Sequence, residues 1–134
     1  MKYITSLLTF LLFSSFALSQ TQLGADIDGE ATYDNSGQSV SMSSDGSRVA
    51  IGAPGNDGND SKSGHVRVYE YTSGAWTQLG SDIDGEAALD ASGSSVSMNS
   101  DGSRVAIGLR IMMEMPLNRV TCGSMNIQVG PGRS

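Results

Sequence analysis

The 134-residue chain has 14 acidic and 8 basic residues, for a formal net charge of -6, and only 16% of its residues are charged. So acidic a chain lacks the basic footprint of a nucleic-acid binder, and its single Cys excludes an internal disulfide or a thiolate zinc framework. Its 17 Gly with few charges point to a turn-rich, all-β chain.

The first segment reads as an address. Lys2 supplies a positive start, Ile4 to Phe16 is mostly apolar, and Ala17-Leu18-Ser19 has the small-x-small pattern of a cleavage site. This predicts a secretory signal peptide over residues 1–19, cut before Gln20. The expected location is therefore secreted or cell-surface, with no membrane span in the mature chain.

A repeat organises the middle of the chain. Thr21 to Gly52 and Thr77 to Gly108 align at an offset of 56 residues, and 26 of these 32 positions are identical. Repetition at this period implies units that lean on their neighbours. Each full unit reads as four short strands. Gln38–Ser43 alternates with Val40 and Met42 on one face, and Arg48–Ala53 with Val49 and Ile51 on one face. His65–Tyr71 sets Val66 and Val68 against Arg67 and Tyr69, and Ala75–Leu79 carries Trp76. Period-two alternation of β-branched and aromatic residues is the strand signal. Asp45-Gly46 marks a tight hairpin between the first two strands. Residues 56–64 form a longer polar loop.

Four strands per tandem unit suggest propeller blades. Ser36-Gly37-Gln38-Ser39-Val40, Asp45-Gly46, Val49-Ala50-Ile51-Gly52-Ala53-Pro54 and Gly64-His65-Val66-Arg67-Val68-Tyr69 occur in that order. Over residues 21–108 the chain resembles the FG-GAP repeat family, the blade type of integrin α-chain β-propellers. The expected fold is all-β: about one and a half four-stranded antiparallel units of an incomplete propeller. The expected divisions are a signal peptide at 1–19, a first repeat at 20–76, a partial second repeat at 77–108 and an unstructured tail at 109–134. The resemblance implies extracellular binding or adhesion without catalysis, toward an unidentified protein or glycan. A calcium-dependent adhesive repeat and an accessory module of a larger secreted enzyme are the alternatives. So short an array also implies self-association through open blade edges.

Family members often carry an acidic calcium loop between the first two strands. Here that loop is Ser43-Ser44-Asp45-Gly46-Ser47, and Asn99 to Ser103 in the second unit. One carboxylate per loop is a poor site for a cation that takes about six to eight oxygens, so Asp45 and Asp101 read as turn residues. Asp26, Asp28 and Glu30 recur as Asp82, Asp84 and Glu86. These six are the weak metal candidates, with calcium as the ion; otherwise they line a solvated loop between blades. No catalytic or cofactor-binding residues stand out. His65 is the only His and reads as structural, no nucleophile elbow is present, and Trp76 reads as a packing residue.

After Gly108 the pattern stops: Met112, Met113, Met115 and Met125 lie close together, and Gly108-Leu109-Arg110 replaces Gly-Ala-Pro. The genetic code offers an account. Reading each third base with the next two bases, Met112-Met113 yields Asp, Met113-Glu114 yields Gly and Met125-Asn126 yields Glu. These match Asp57, Gly58 and Glu70 at the repeat offset. The tail thus reads as the next repeat translated one base out of frame. The gene sequence checks this: adding one base at the Gly108–Leu109 junction should restore the repeat, and a shifted frame without it would remove the idea.

Overall fold

The computed structural model describes residues 20–110 and 126–129. The segment read as a signal peptide, residues 1–19, and most of the tail lie outside the described residues. Among the described residues there is no helix; eight strands form two antiparallel sheets. No helix of the described residues is long and apolar enough to cross a membrane.

The first sheet is an up-and-down ladder. β1 (Ser39–Met42), β2 (Arg48–Ala53), β3 (His65–Thr72) and β4 (Ala75–Gln78) pair in chain order. These are the four strands that the alternation predicts, each within two residues of its expected ends. β4 covers only Tyr69 to Thr72 of β3. The chain then turns, and β5 (Ile83–Asp84) pairs with His65 and Val66 at the other end of β3. Two short segments thus cover one edge of one long strand, which leaves less open edge for stray pairing.

The second sheet repeats the pattern with β6 (Ser95–Met98) and β7 (Arg104–Gly108), joined by β8 (Asn126–Val129). β8 lies within the stretch read as a tail, and in its pairing Arg104 faces Val129 and Ile107 faces Asn126. Its register departs from the first unit, where Arg48 faces Glu70, the residue whose offset counterpart is Asn126. The ladder hydrogen bonds are backbone bonds, so an edge such as β7 accepts a strand whose sequence does not continue the repeat. A slip is already present at the end of β7. In unit one the Asp34 carbonyl accepts from Gly55 N, whereas in unit two the Asp90 carbonyl accepts from Arg110, one position short of the offset.

Alternation gives each sheet two unlike faces. Ala50, Val66 and Val68 occupy the rear of the first sheet and pack against Val105, Ile107, Val96 and Met98 on the front of the second, with Ile83 between. Val49, Ile51 and Tyr69 occupy the front of the first sheet. Val49 and Ile51 are the offset counterparts of Val105 and Ile107. Ile27, the counterpart of Ile83, packs on them, as does Trp76. Trp76 also lies 5.1 Å from the Tyr71 ring and donates from Nε1 to the Leu23 carbonyl at 3.0 Å. It therefore clips the N-terminal segment to the sheet, consistent with the packing role read from the sequence.

The seam between the units is bonded along its length. Gly64 and Ser92 form a parallel bridge, and the loop at 61–64 accepts backbone N–H groups from Leu89, Ala91 and Ser92. The Ser39 hydroxyl donates to the Gly93 carbonyl at 2.7 Å, and Ser41 Oγ accepts from Met98 N at 2.9 Å. At the far end the hairpin turns stack, with Ser44 N and Arg48 Nη1 donating to the Ser100 and Gly102 carbonyls. Between them the backbones meet: a Cβ on Gly52 would strike the Gly93 carbonyl, and one on Gly93 would lie 2.5 Å from the His65 carbonyl.

Gly37 is the counterpart of Gly93, with φ of 86° against 82°. A Cβ on Gly37 would meet nothing within 4 Å, because no preceding unit is present among the described residues. Gly37→Ala should therefore cost about 1–2 kcal/mol for the left-handed backbone alone. Gly93→Ala should cost that plus about 1–3 kcal/mol for overpacking the seam. Urea denaturation of both variants checks the difference, and equal losses would show that the seam is not close-packed.

Candidate functional site

Two loop types could carry function. The hairpin turns are one. In the first, Asp45 Oδ1 accepts from the Ser43 hydroxyl at 2.6 Å and from Ser47 N at 2.9 Å. The Ser43 hydroxyl, then the Ser47 amide and hydroxyl, hold the Asp45 carboxyl down at about 2. Asp101 repeats the arrangement. It accepts from Ser103 N at 2.9 Å, and its pKa is lowered chiefly by the Ser103 hydroxyl. Both carboxylates are thus engaged within their own turns, as Asx-turn residues are.

The second loop type does not stand out in the sequence. Asp34 is buried and accepts from Ala31 N at 3.0 Å and Asn56 Nδ2 at 2.9 Å through Oδ2. Asp90 accepts from Ala87 N at 3.0 Å in the same way. Each closes a loop in which non-glycine residues take positive φ: Tyr33 and Asn35 in the first unit, Leu89 and Ala91 in the second. Recurrence at the repeat offset marks the strain as part of the unit's construction. The signal available in the sequence is the identity of this Asp in both units while the positions on either side of it differ.

The six acidic candidates separate. Asp26 accepts from Gln22 Nε2 at 2.7 Å, and Asp82 accepts from Gln78 Nε2 at the same distance through Oδ1. Asp28 contributes its carbonyl rather than its carboxylate, accepting from Arg67 Nη2 at 2.7 Å. Asp84 lies beside the loop at 56–58, where its Oδ1 would be 3.2 Å from a Cβ on Gly58. Glu86 is exposed. Only Glu30 and Asp82 converge, and they converge on His65.

The local fold explains the meeting. His65, Arg67 and Tyr69 alternate onto the front of β3. β5 lies antiparallel to the start of β3 with Asp84 opposite His65, and Asp82 leads into that pair. Glu30 arrives from the N-terminal segment that Ile27 and Trp76 hold over the same face. His65 Nδ1 lies 3.8 Å from both Glu30 Oε2 and Asp82 Oδ2. His65 is 1% exposed, and neither ring nitrogen has a hydrogen-bond partner. Arg67 is buried alongside, with Nη1 3.7 Å from Glu30 Oε1 and its Cζ 5.7 Å from the Tyr69 ring centroid. Burial of the Tyr69 hydroxyl raises its pKa. The imidazole that reads as structural in the sequence is buried, yet its polar atoms are unsatisfied.

The architecture is that of two stacked antiparallel sheets, consistent with an incomplete propeller-like fragment. Residues 20–69 match the model of the FG-GAP repeat family. No curated protein matches the chain.

Proposed function

We propose that the chain is a fragment of a secreted, non-catalytic FG-GAP β-propeller whose parent binds an extracellular protein or glycan. The carrying observation is the β1 side of the first unit's front, which the N-terminal segment leaves uncovered. Val40 and Met42 are 62% and 53% exposed, whereas their counterparts Val96 and Met98 are packed into the seam. A sequence that keeps both apolar residues in each unit is written for a blade that is covered by another. The repeat match and the sequence of residues 1–19 support an exported array, and the tail supports its truncation by a shifted frame. Propellers close with about four to eight blades, more than this chain supplies. The exposed front then favours association with a second copy, front to rear.

Sedimentation velocity on the full chain tests the open front. Association should rise with concentration and fall at least about tenfold in Met42→Lys, since a buried charge opposes docking. A chain that stays monomeric up to solubility would reject the reading. Binding is tested with the product of the frame-restored gene on arrays of matrix proteins and glycans. Saturable binding that the present chain lacks is expected, and a restored propeller that binds nothing on them would remove the adhesive reading.

A further inference from the structure

We propose that Glu30, His65 and Asp82 form a binding site for a divalent transition-metal ion of the zinc class. Three observations carry it. One Glu oxygen, one Asp oxygen and His65 Nδ1 all lie within 4.8 Å of one another. The imidazole is buried at 1% exposure with both ring nitrogens unpartnered and Nδ1 facing both carboxylates, an arrangement that leaves its donor and its acceptor unused. Each carboxylate is also held from outside the cluster. Gln78 donates to Asp82 Oδ1 at 2.7 Å, Arg67 pairs with Glu30 Oε1 at 3.7 Å, and Asn56 Nδ2 donates weakly to Glu30 Oε2 at 3.4 Å. Outer partners of this kind aim ligand atoms at a common point.

The donor set selects the ion. One imidazole nitrogen with two carboxylate oxygens suits zinc, which takes nitrogen and oxygen ligands at about 2.0–2.2 Å and leaves a fourth position for water. Calcium takes about six to eight oxygens, which three side chains do not offer. Arg67 and the two carboxylates leave one net negative charge, which attracts a cation. The ion would also tie the N-terminal segment, through Glu30, to β3 and to the entry of β5. It would thereby fix the segment that packs over the β2 and β3 part of the first sheet's front. The offset counterparts do not build a second copy from this chain, because position 121 holds Thr where the repeat requires His.

The test is titration of the full chain with zinc and, separately, calcium. It is read by calorimetry and by the thermal unfolding midpoint, with cobalt(II) visible absorption reporting nitrogen and oxygen ligation. Zinc should bind at one equivalent and raise the midpoint, and calcium should do neither. Glu30→Gln and Asp82→Asn keep the side-chain shapes at partly exposed positions and should each weaken zinc at least about tenfold. Glu86→Gln and Asp26→Asn, their offset counterparts, should leave it unchanged. No zinc binding by the unaltered chain would overturn the proposal. So would equal losses in the counterpart variants, which would mark diffuse charge attraction. A midpoint that shifts with acidification but not with zinc would also overturn it, assigning the cluster to a protonated imidazole between two carboxylates.

Discussion

The rest of the structure depends on how closely two backbones approach. At the seam, Gly52 of the first unit meets Gly93 of the second with no room for a side chain on either. Everything else at the seam is set by that separation. Ser39 can reach the Gly93 carbonyl, Ser41 can accept from Met98, and the two hairpin turns can share backbone bonds. With the sheets this near, Ala50 suffices opposite Val105 and Ile107, and Val66 is fully buried. The Gly-Ala-Pro element thus has a mechanical meaning. Its glycine admits the next unit's carbonyl, and its alanine is wholly buried at the end of β2.

The strands were legible because each unit alternates cleanly and the hairpin carries Asp-Gly. Val49 and Ile51 share one face and Val66 and Val68 another, so burying both faces follows from period two. The role of Trp76 was legible in kind. Its partner, the Leu23 carbonyl, was not, because that contact joins residues 53 apart. β8 has no signal in the repeat pattern, because its pairing is a backbone event set by an available edge.

The cluster around His65 was half legible. Glu30 and Asp82 stood among six repeated carboxylates, and nothing local distinguishes them from Asp26 or Glu86. What separates them is the topology. β5 lies along β3 and delivers Asp82, and the N-terminal segment folds over the front to deliver Glu30. The two carboxylates come from non-equivalent positions of successive units, so comparing the units with each other hides the pairing. His65 looked bland because a lone histidine at a strand start has no spacing partner. Its unsatisfied ring nitrogens emerge only once burial is known.

The two faces of each unit also fix a symmetry. Serines of β1 face the following unit while Val40 and Met42 face the other way, so the seam joins unlike surfaces. Contacts between unlike surfaces are heterologous, and a two-fold axis cannot satisfy them. Copies joined in this way either turn through a whole circle and close, or climb and continue as a filament. The angle between one blade and the next, a property of the glycine contact, chooses between a finite ring and an open fibre.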